Sequence, residues 1–220
     1  MAEHILQLIK KFNSKAVIFD LDGTMLDNNP YHLKAFKKYL QKNNREMSDE
    51  EYNRNINGRT NKDVMEYIYQ KKLSEEELLP FVQEKESLYR ELYKDDIAPV
   101  KGLMELLRLL DKNNIPMGIA TSGIQVNIDF MFVNVPVKKY FKTVVNSSHI
   151  KKGKPDPEIF LKTADALHVV AAECLVFEDS IVGITAAKAA GMKVIAIATT
   201  HQKEELAIAD MIIDDYTQLI

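Results

Sequence analysis

The sequence predicts an α/β chain: a doubly wound parallel sheet with an all-helical segment inserted after its first strand. Three observations carry that expectation. Short apolar runs recur at 16–20 (AVIFD), 116–121 (PMGIAT), 143–147 (TVVNS), 174–179 (CLVFED) and 193–199 (KVIAIAT). Apolar on both faces, such runs suit strands covered by helices on each side. The intervals between the later runs carry helical periodicity, and strand alternating with helix is the pattern of a doubly wound core. From Pro30 to about Asp96, by contrast, there is no strand-like run at all.

Taken in order, MAEHILQLIKKF reads as a short amphipathic helix packed on the domain, its apolar run too short for a signal peptide or a membrane span. In the strandless interval, capping-box patterns pair Ser48 with Glu51, Thr60 with Asp63 and Ser74 with Glu77. Residues 31–96 are therefore expected to form a helical module on a two-stranded hinge, beside a core built by residues 1–30 and 97–220. A module placed directly after the first strand is positioned as a lid. Leu103, Leu106, Leu107 and Leu110 fall on one helical face, as do Ile159, Phe160, Thr163, Ala164 and Leu167. SIVGITAAKAAG is a small-residue helix for which Gly191 is the expected C′ residue.

Composition narrows the class. Of 220 residues, 46% are hydrophobic, enough for a sizeable core. A net charge of −3 with the two signs intermixed leaves no basic surface for nucleic acid. Cys174 is the only cysteine, so no intrachain disulfide forms, and inside an apolar run it reads as a buried structural thiol. A soluble protein of the reducing cytoplasm fits, with neither a membrane nor a nucleic acid as partner. A monomer is compatible with this composition.

In open parallel sheets, ligands bind beyond the carboxyl ends of the strands. There the first run leaves Asp20, Asp22 and Gly23, the second Thr121 and Ser122, and the fourth Glu178 and Asp179; Lys154 lies in KKGKPDP after the third. Each piece alone is commonplace, since Asp and Gly form turns, hydroxyls and acids cap helices, and a lysine before proline is usually solvated. Together, in order and at one sheet edge, they are hard to explain as caps. Strand period puts Asp20 and Asp22 on one face. Two bare carboxylates there would repel, and a cation is the simplest relief. Carboxylates and carbonyls are hard oxygen ligands suited to Mg²⁺, which favours a phosphate substrate. One carboxylate can attack phosphorus, and a second acid can protonate the leaving oxygen and later activate water. Lys154, Thr121 and nearby backbone N–H groups can neutralise the phosphoryl oxygens.

DLDGT, ATS, KGKPDP and VFEDS, in that order, resemble the four signature motifs of the haloacid dehalogenase superfamily. The helical insert is placed like that superfamily's small α-helical cap on its Rossmann-like core. The resemblance implies Asp20 as nucleophile and Asp22 as general acid and base, with Thr121, Ser122 and Lys154 at the phosphoryl group. It implies Mg²⁺ held by Asp20, the Asp22 carbonyl and Asp179, with Glu178 a ligand or a partner of one. Within the superfamily the chain is similar to the β-phosphoglucomutase-like phosphatases and mutases. PYH places His32 where their hinge histidine touches the general acid. NGRTNKD (57–63) resembles their specificity loop, and KESLY places Lys85 at their cap lysine.

The chain departs from the mutases where they grip a second phosphate. Asn61 stands at their cap arginine, with Arg59 two residues earlier, and Ile124 stands near their phosphate-binding lysine. The expected activity is thus Mg²⁺-dependent removal of phosphate from a small phosphorylated metabolite, a sugar or polyol phosphate, through an aspartyl phosphate. A hexose-phosphate mutase and a non-catalytic phosphometabolite-binding module are the alternatives.

Overall fold

The computed structural model describes residues 4–220. Six strands, β1 (Ala16–Phe19), β2 (Met117–Ala120), β3 (Phe141–Val145), β4 (Cys174–Glu178), β5 (Lys193–Ile197) and β6 (Met211–Ile213), form one sheet in the order β3-β2-β1-β4-β5-β6. All neighbours pair in parallel. The first five fall on the apolar runs. β3 begins two residues before the expected TVVNS and, as an edge strand, buries only Val145 fully. The sixth, MII, is too short to stand out in the sequence; pairing with β5 makes it a strand.

The helices are α1 (His4–Lys11), α2 (Asn29–Lys42), α3 (Asp49–Asn55), α4 (Asn61–Tyr69), α5 (Glu75–Tyr93), α6 (Leu103–Lys112), α7 (Gln125–Asn134), α8 (Glu158–Ala166) and α9 (Ile181–Ala189). Met1 to Glu3, which the sequence reading joined to α1, lie outside the described residues. Strand alternation divides the core into two layers. Val17 and Phe19 of β1 face α1, α6 and α7, while Ala16 and Ile18 face α8 and α9. Leu103, Leu106, Leu107 and Leu110 of α6 are fully buried in the first layer, each worth about 1.5–3 kcal/mol relative to exposure. Gly191 follows α9 with φ +78°, the left-handed C′ geometry expected of it. Cys174 is buried, and burial pushes its thiol up to about 11.

Helices α2 to α5 build a third hydrophobic cluster of their own around Phe36, Tyr39, Leu40, Tyr52, Ile56 and Met65. The Ser48, Thr60 and Ser74 side chains accept from the N–H groups of Glu51, Asp63 and Glu77, and Ser74 with Glu77 completes the reciprocal box. The two chain segments joining this region to the sheet meet at a single antiparallel bridge, Leu26 with Pro99, where a two-stranded hinge was expected. Val100 N donates to Met25 O at 2.9 Å beside it. Among the described residues no helix is long and apolar enough to cross a membrane.

Candidate active site

β1 lies between β2 and β4, where the winding reverses direction, so a crevice opens at the carboxyl ends of these strands. Asp20 N donates to Phe177 O at 3.0 Å, extending the β1–β4 ladder one residue past Phe19 and fixing the first acid. The chain then turns at Gly23 (φ +78°). A Cβ there would fall 2.1 Å from Asp179 Oδ2, so both the turn and the close approach need glycine.

Lys154 lies buried between Asp20 and Glu178, 2% exposed. Its Nζ donates to Asp20 Oδ1 and to Glu178 Oε1, each at 2.6 Å. Glu178 Oε2 accepts from Ser180 N at 2.6 Å and from Ser180 Oγ at 2.9 Å. Asp179 accepts from Thr24 Oγ1 at 3.2 Å, from Asn29 Nδ2 at 2.9 Å and from Thr200 Oγ1. Oxygens of Asp20, Glu178 and Asp179 lie within 4.8 Å of one another. Two of these three buried acids share one ammonium, and Asp179 has only neutral donors. Burial, then repulsion from Glu178 against the pull of Lys154, raises Asp20 to about 8; burial and repulsion from Glu178 and Asp20 push Asp179 well above the usual carboxylate range. A hard-oxygen donor set with this much uncompensated negative charge fits a divalent cation.

Asp22 lines the same cavity as Asp20 but faces the helical segment. β1 has ended at Phe19, so strand period does not hold the two carboxylates together. Asp22 Oδ1 accepts from Asn28 Nδ2 and lies 3.4 Å from His32 Nε2. Burial alone would raise its pKa, but the His32 ring, the Asn28 donor and the Lys85 charge outweigh burial and lower it. Lys85, buried rather than solvated, meets His32 Nδ1 at 3.0 Å. Lysine can only donate, so Nδ1 accepts and the ring proton sits on Nε2, facing Asp22.

Thr121 is buried, and its Oγ1 accepts from Gly123 N at 3.0 Å. Ser122 Oγ donates to Gly58 O at 2.9 Å, tying the 57–63 loop to the core. Arg59 lines the cavity with its buried Nε unpartnered. Asn61 Nδ2 donates to Glu86 Oε1 at 2.7 Å. The structure therefore brings the expected residues to one crevice in two groups. Asp20, Lys154, Glu178 and Asp179 interlock at the sheet edge. Asp22, His32, Lys85 and Arg59 line the side toward the helices, with Thr121 and Ser122 also on the cavity wall.

Five contributors, Thr200, Asn28, Asn29, Glu86 and Asn127, escaped the sequence reading. Thr200 follows the fifth apolar run, so reading that strand end like the others reaches it. Asn28 and Asn29 at the start of α2, Glu86 in the charged α5 and Asn127 in the apolar α7 have nothing in their local sequence that marks them.

The family model for haloacid dehalogenase-like hydrolases matches residues 17–197. The chain belongs to that family. It is 30% identical over 208 residues to validoxylamine A 7′-phosphate phosphatase of Streptomyces hygroscopicus subsp. limoneus, an alignment spanning 93% of this chain and 95% of that one. It is also 30% identical over 214 residues to β-phosphoglucomutase of Bacillus subtilis (strain 168), spanning 93% and 91%. Among solved structures, a family IA, variant 3 HAD hydrolase from Entamoeba histolytica HM-1:IMSS matches with a TM-score of 0.83 at 34% identity, over 94% of this chain and 95% of that one.

Proposed function

We propose that this hydrolase is a Mg²⁺-dependent phosphatase that removes phosphate from a small sugar or polyol phosphate through an aspartyl phosphate. One observation carries the reading: segments far apart in sequence bring Asp20, Asp22, Thr121 and Lys154 into one crevice beside the Glu178–Asp179 pair. A relative named for a phosphatase of a phosphorylated metabolite supports it. Residues 31–96 serve as the cap over a core of 1–30 and 97–220, a division supported by the cap's separate hydrophobic cluster.

In the first half of the reaction, Asp20 Oδ1 stays with Lys154 while Oδ2 attacks phosphorus. The bond from phosphorus to the leaving oxygen breaks, and that oxygen takes its electron pair and a proton from Asp22. In the second half, water attacks the phosphoryl group on Asp20 and gives its proton to Asp22. The Asp20–phosphorus bond breaks, restoring the carboxylate and releasing phosphate. Asp22 stands here in its ionised form, the base of the second half. Leaving the Asn28 contact removes one donor that favours that form and so admits the proton needed for the first. Thr121 and Lys154 hold the nonbridging oxygens. Asp20, Asp179 and the Asp22 carbonyl would hold Mg²⁺, which supplies positive charge against the phosphoryl group. Glu178, already accepting from Lys154 and Ser180, positions the lysine.

Hydrolysis is favoured over mutase chemistry because Asn61 and Ile124 stand where the mutases carry cations and Lys85 is engaged, which leaves Arg59 alone for a second phosphate. Asn61 is bonded to Glu86, and Lys85 to His32 and Glu86. The test is a panel of phosphorylated metabolites with Mg²⁺, primed with a trace of glucose 1,6-bisphosphate and scored for phosphate release and for isomer formation. Phosphate release is expected to dominate. Isomerisation outrunning release would make the enzyme a mutase.

A further inference from the structure

The wall of the crevice toward the helices contains a charged side chain that the chemistry above does not use. Glu86, on α5, is 2% exposed and lines the cavity that Asp20 and Asp22 line. Its Oε1 accepts from Asn61 Nδ2 at 2.7 Å and from Lys85 Nζ at 3.0 Å, and its Oε2 accepts from Asn127 Nδ2 at 2.7 Å. Asn127, on α7, is itself fixed from the other side, where Arg90 Nη1 donates to its Oδ1 at 2.8 Å. A carboxylate offers about four acceptor positions, so one on Oε2 remains open.

The surroundings give that open position a preference. Burial would raise the Glu86 pKa, but the Lys85 charge, the His32 ring and the Asn127 and Asn61 donors outweigh burial and lower it, so the group is an anion. Lys85 does not offset it for a ligand. Its ammonium is bonded to His32 and Glu86 and lies 4.2 Å from the Phe36 ring centroid, which accounts for its donors. Phe36, Ile56 and Val64 supply apolar patches of the wall beside it. A hydroxyl or ammonium entering there loses water and needs an acceptor; a second anion meets a fixed negative charge.

Resting on the phosphatase reading, we propose that Glu86 is a specificity-determining residue that accepts a hydrogen bond from the leaving group. It thereby restricts the enzyme to monophosphate esters of polyols or amino polyols and disfavours leaving groups that carry a carboxylate or a second phosphate. Arg59, whose buried Nε lacks an acceptor, is the group a second anion would use, so the two residues pull selectivity in opposite directions.

The test measures kcat/KM for sorbitol 6-phosphate, glucosamine 6-phosphate, 6-phosphogluconate and fructose 1,6-bisphosphate, each relative to p-nitrophenyl phosphate in the same protein. The wild type is expected to favour the first two over the anionic pair by about ten- to a hundredfold, the range for a charge-assisted hydrogen bond. Glu86→Gln should collapse that ratio, with the amino substrate losing most, while Arg59→Gln should widen it. A purely structural role for Glu86 lowers all substrates together and leaves the ratio unmoved, which would overturn the proposal. If Glu86→Gln does not fold, the wild-type ratio alone decides, and a preference for the anionic pair refutes it. No phosphate release from p-nitrophenyl phosphate or any ester would instead overturn the phosphatase reading, and this proposal with it.

Discussion

Replacing Lys154 with methionine keeps the length of the side chain and removes the ammonium between Asp20 and Glu178. Both ion pairs measure 2.6 Å, and the three side chains are 1%, 8% and 0% exposed. Water therefore cannot take over. Breaking a buried pair by deleting one partner costs about 3–5 kcal/mol, chiefly because a charge is left uncompensated. In a chain of this size each kcal/mol moves the melting temperature by about 2–4 °C, so a fall of roughly 6–20 °C is expected. The assay is thermal unfolding in chelator, at two pH values. Asp20 is already raised to about 8 with the lysine present, and losing it raises the acid further. An acid with a higher pKa folded than unfolded takes up a proton on folding, so the stability it allows is complete below the unfolded pKa and is lost as pH rises through the folded one. The deficit of Lys154→Met should therefore be smaller at about pH 5 than at about pH 8.5. Adding Glu178→Gln should recover about 1–3 kcal/mol, the coupling expected of groups in one network. A melting point within a degree or two of wild type, or a deficit larger at low pH, would refute the reasoning.

Two further outcomes follow from the geometry. Asp22→Asn should lower kcat by about 10²–10⁴, the usual contribution of general acid–base catalysis, and should hurt alkyl phosphates more than p-nitrophenyl phosphate, whose leaving group needs no proton; equal losses on both would remove Asp22 from the acid role. Gly183→Ala would place a Cβ 1.6 Å from Glu178 Oε1, so the carboxylate must move and Lys154 with it. A stability loss of about 1–3 kcal/mol by denaturant titration, together with lost activity, is expected, and a variant indistinguishable from wild type would show that Glu178 can shift freely.

The sheet was legible because its strands are short apolar runs and because α6 and α8 between them keep one apolar face, as Leu103, Leu106, Leu107 and Leu110 do. The sheet-edge half of the site was legible for a related reason: strand ends point one way in a parallel sheet, so Asp20, Thr121 and Asp179 had to emerge at one edge. What the sequence hid depends on contacts between distant helices. Lys85 and Glu86 sit in a helix rich in charge, and only the approach of His32 and Asn127 buries them. Asp20 and Asp22 do line one cavity, but by a turn rather than by strand period, because β1 ends at Phe19, three residues short of Asp22. MII became a strand only by pairing with β5, a contact its three residues do not announce.

The central claim is that Asp20 carries the phosphoryl group. Rapid quenching during turnover with Mg²⁺, followed by borohydride, reduces an acyl phosphate to the alcohol and converts the aspartate that bore it into homoserine. Peptide mass spectrometry should locate that conversion at Asp20, dependent on substrate and absent in Asp20→Asn. Homoserine at any other aspartate, or undiminished turnover by the Asp20→Asn variant, would contradict the account.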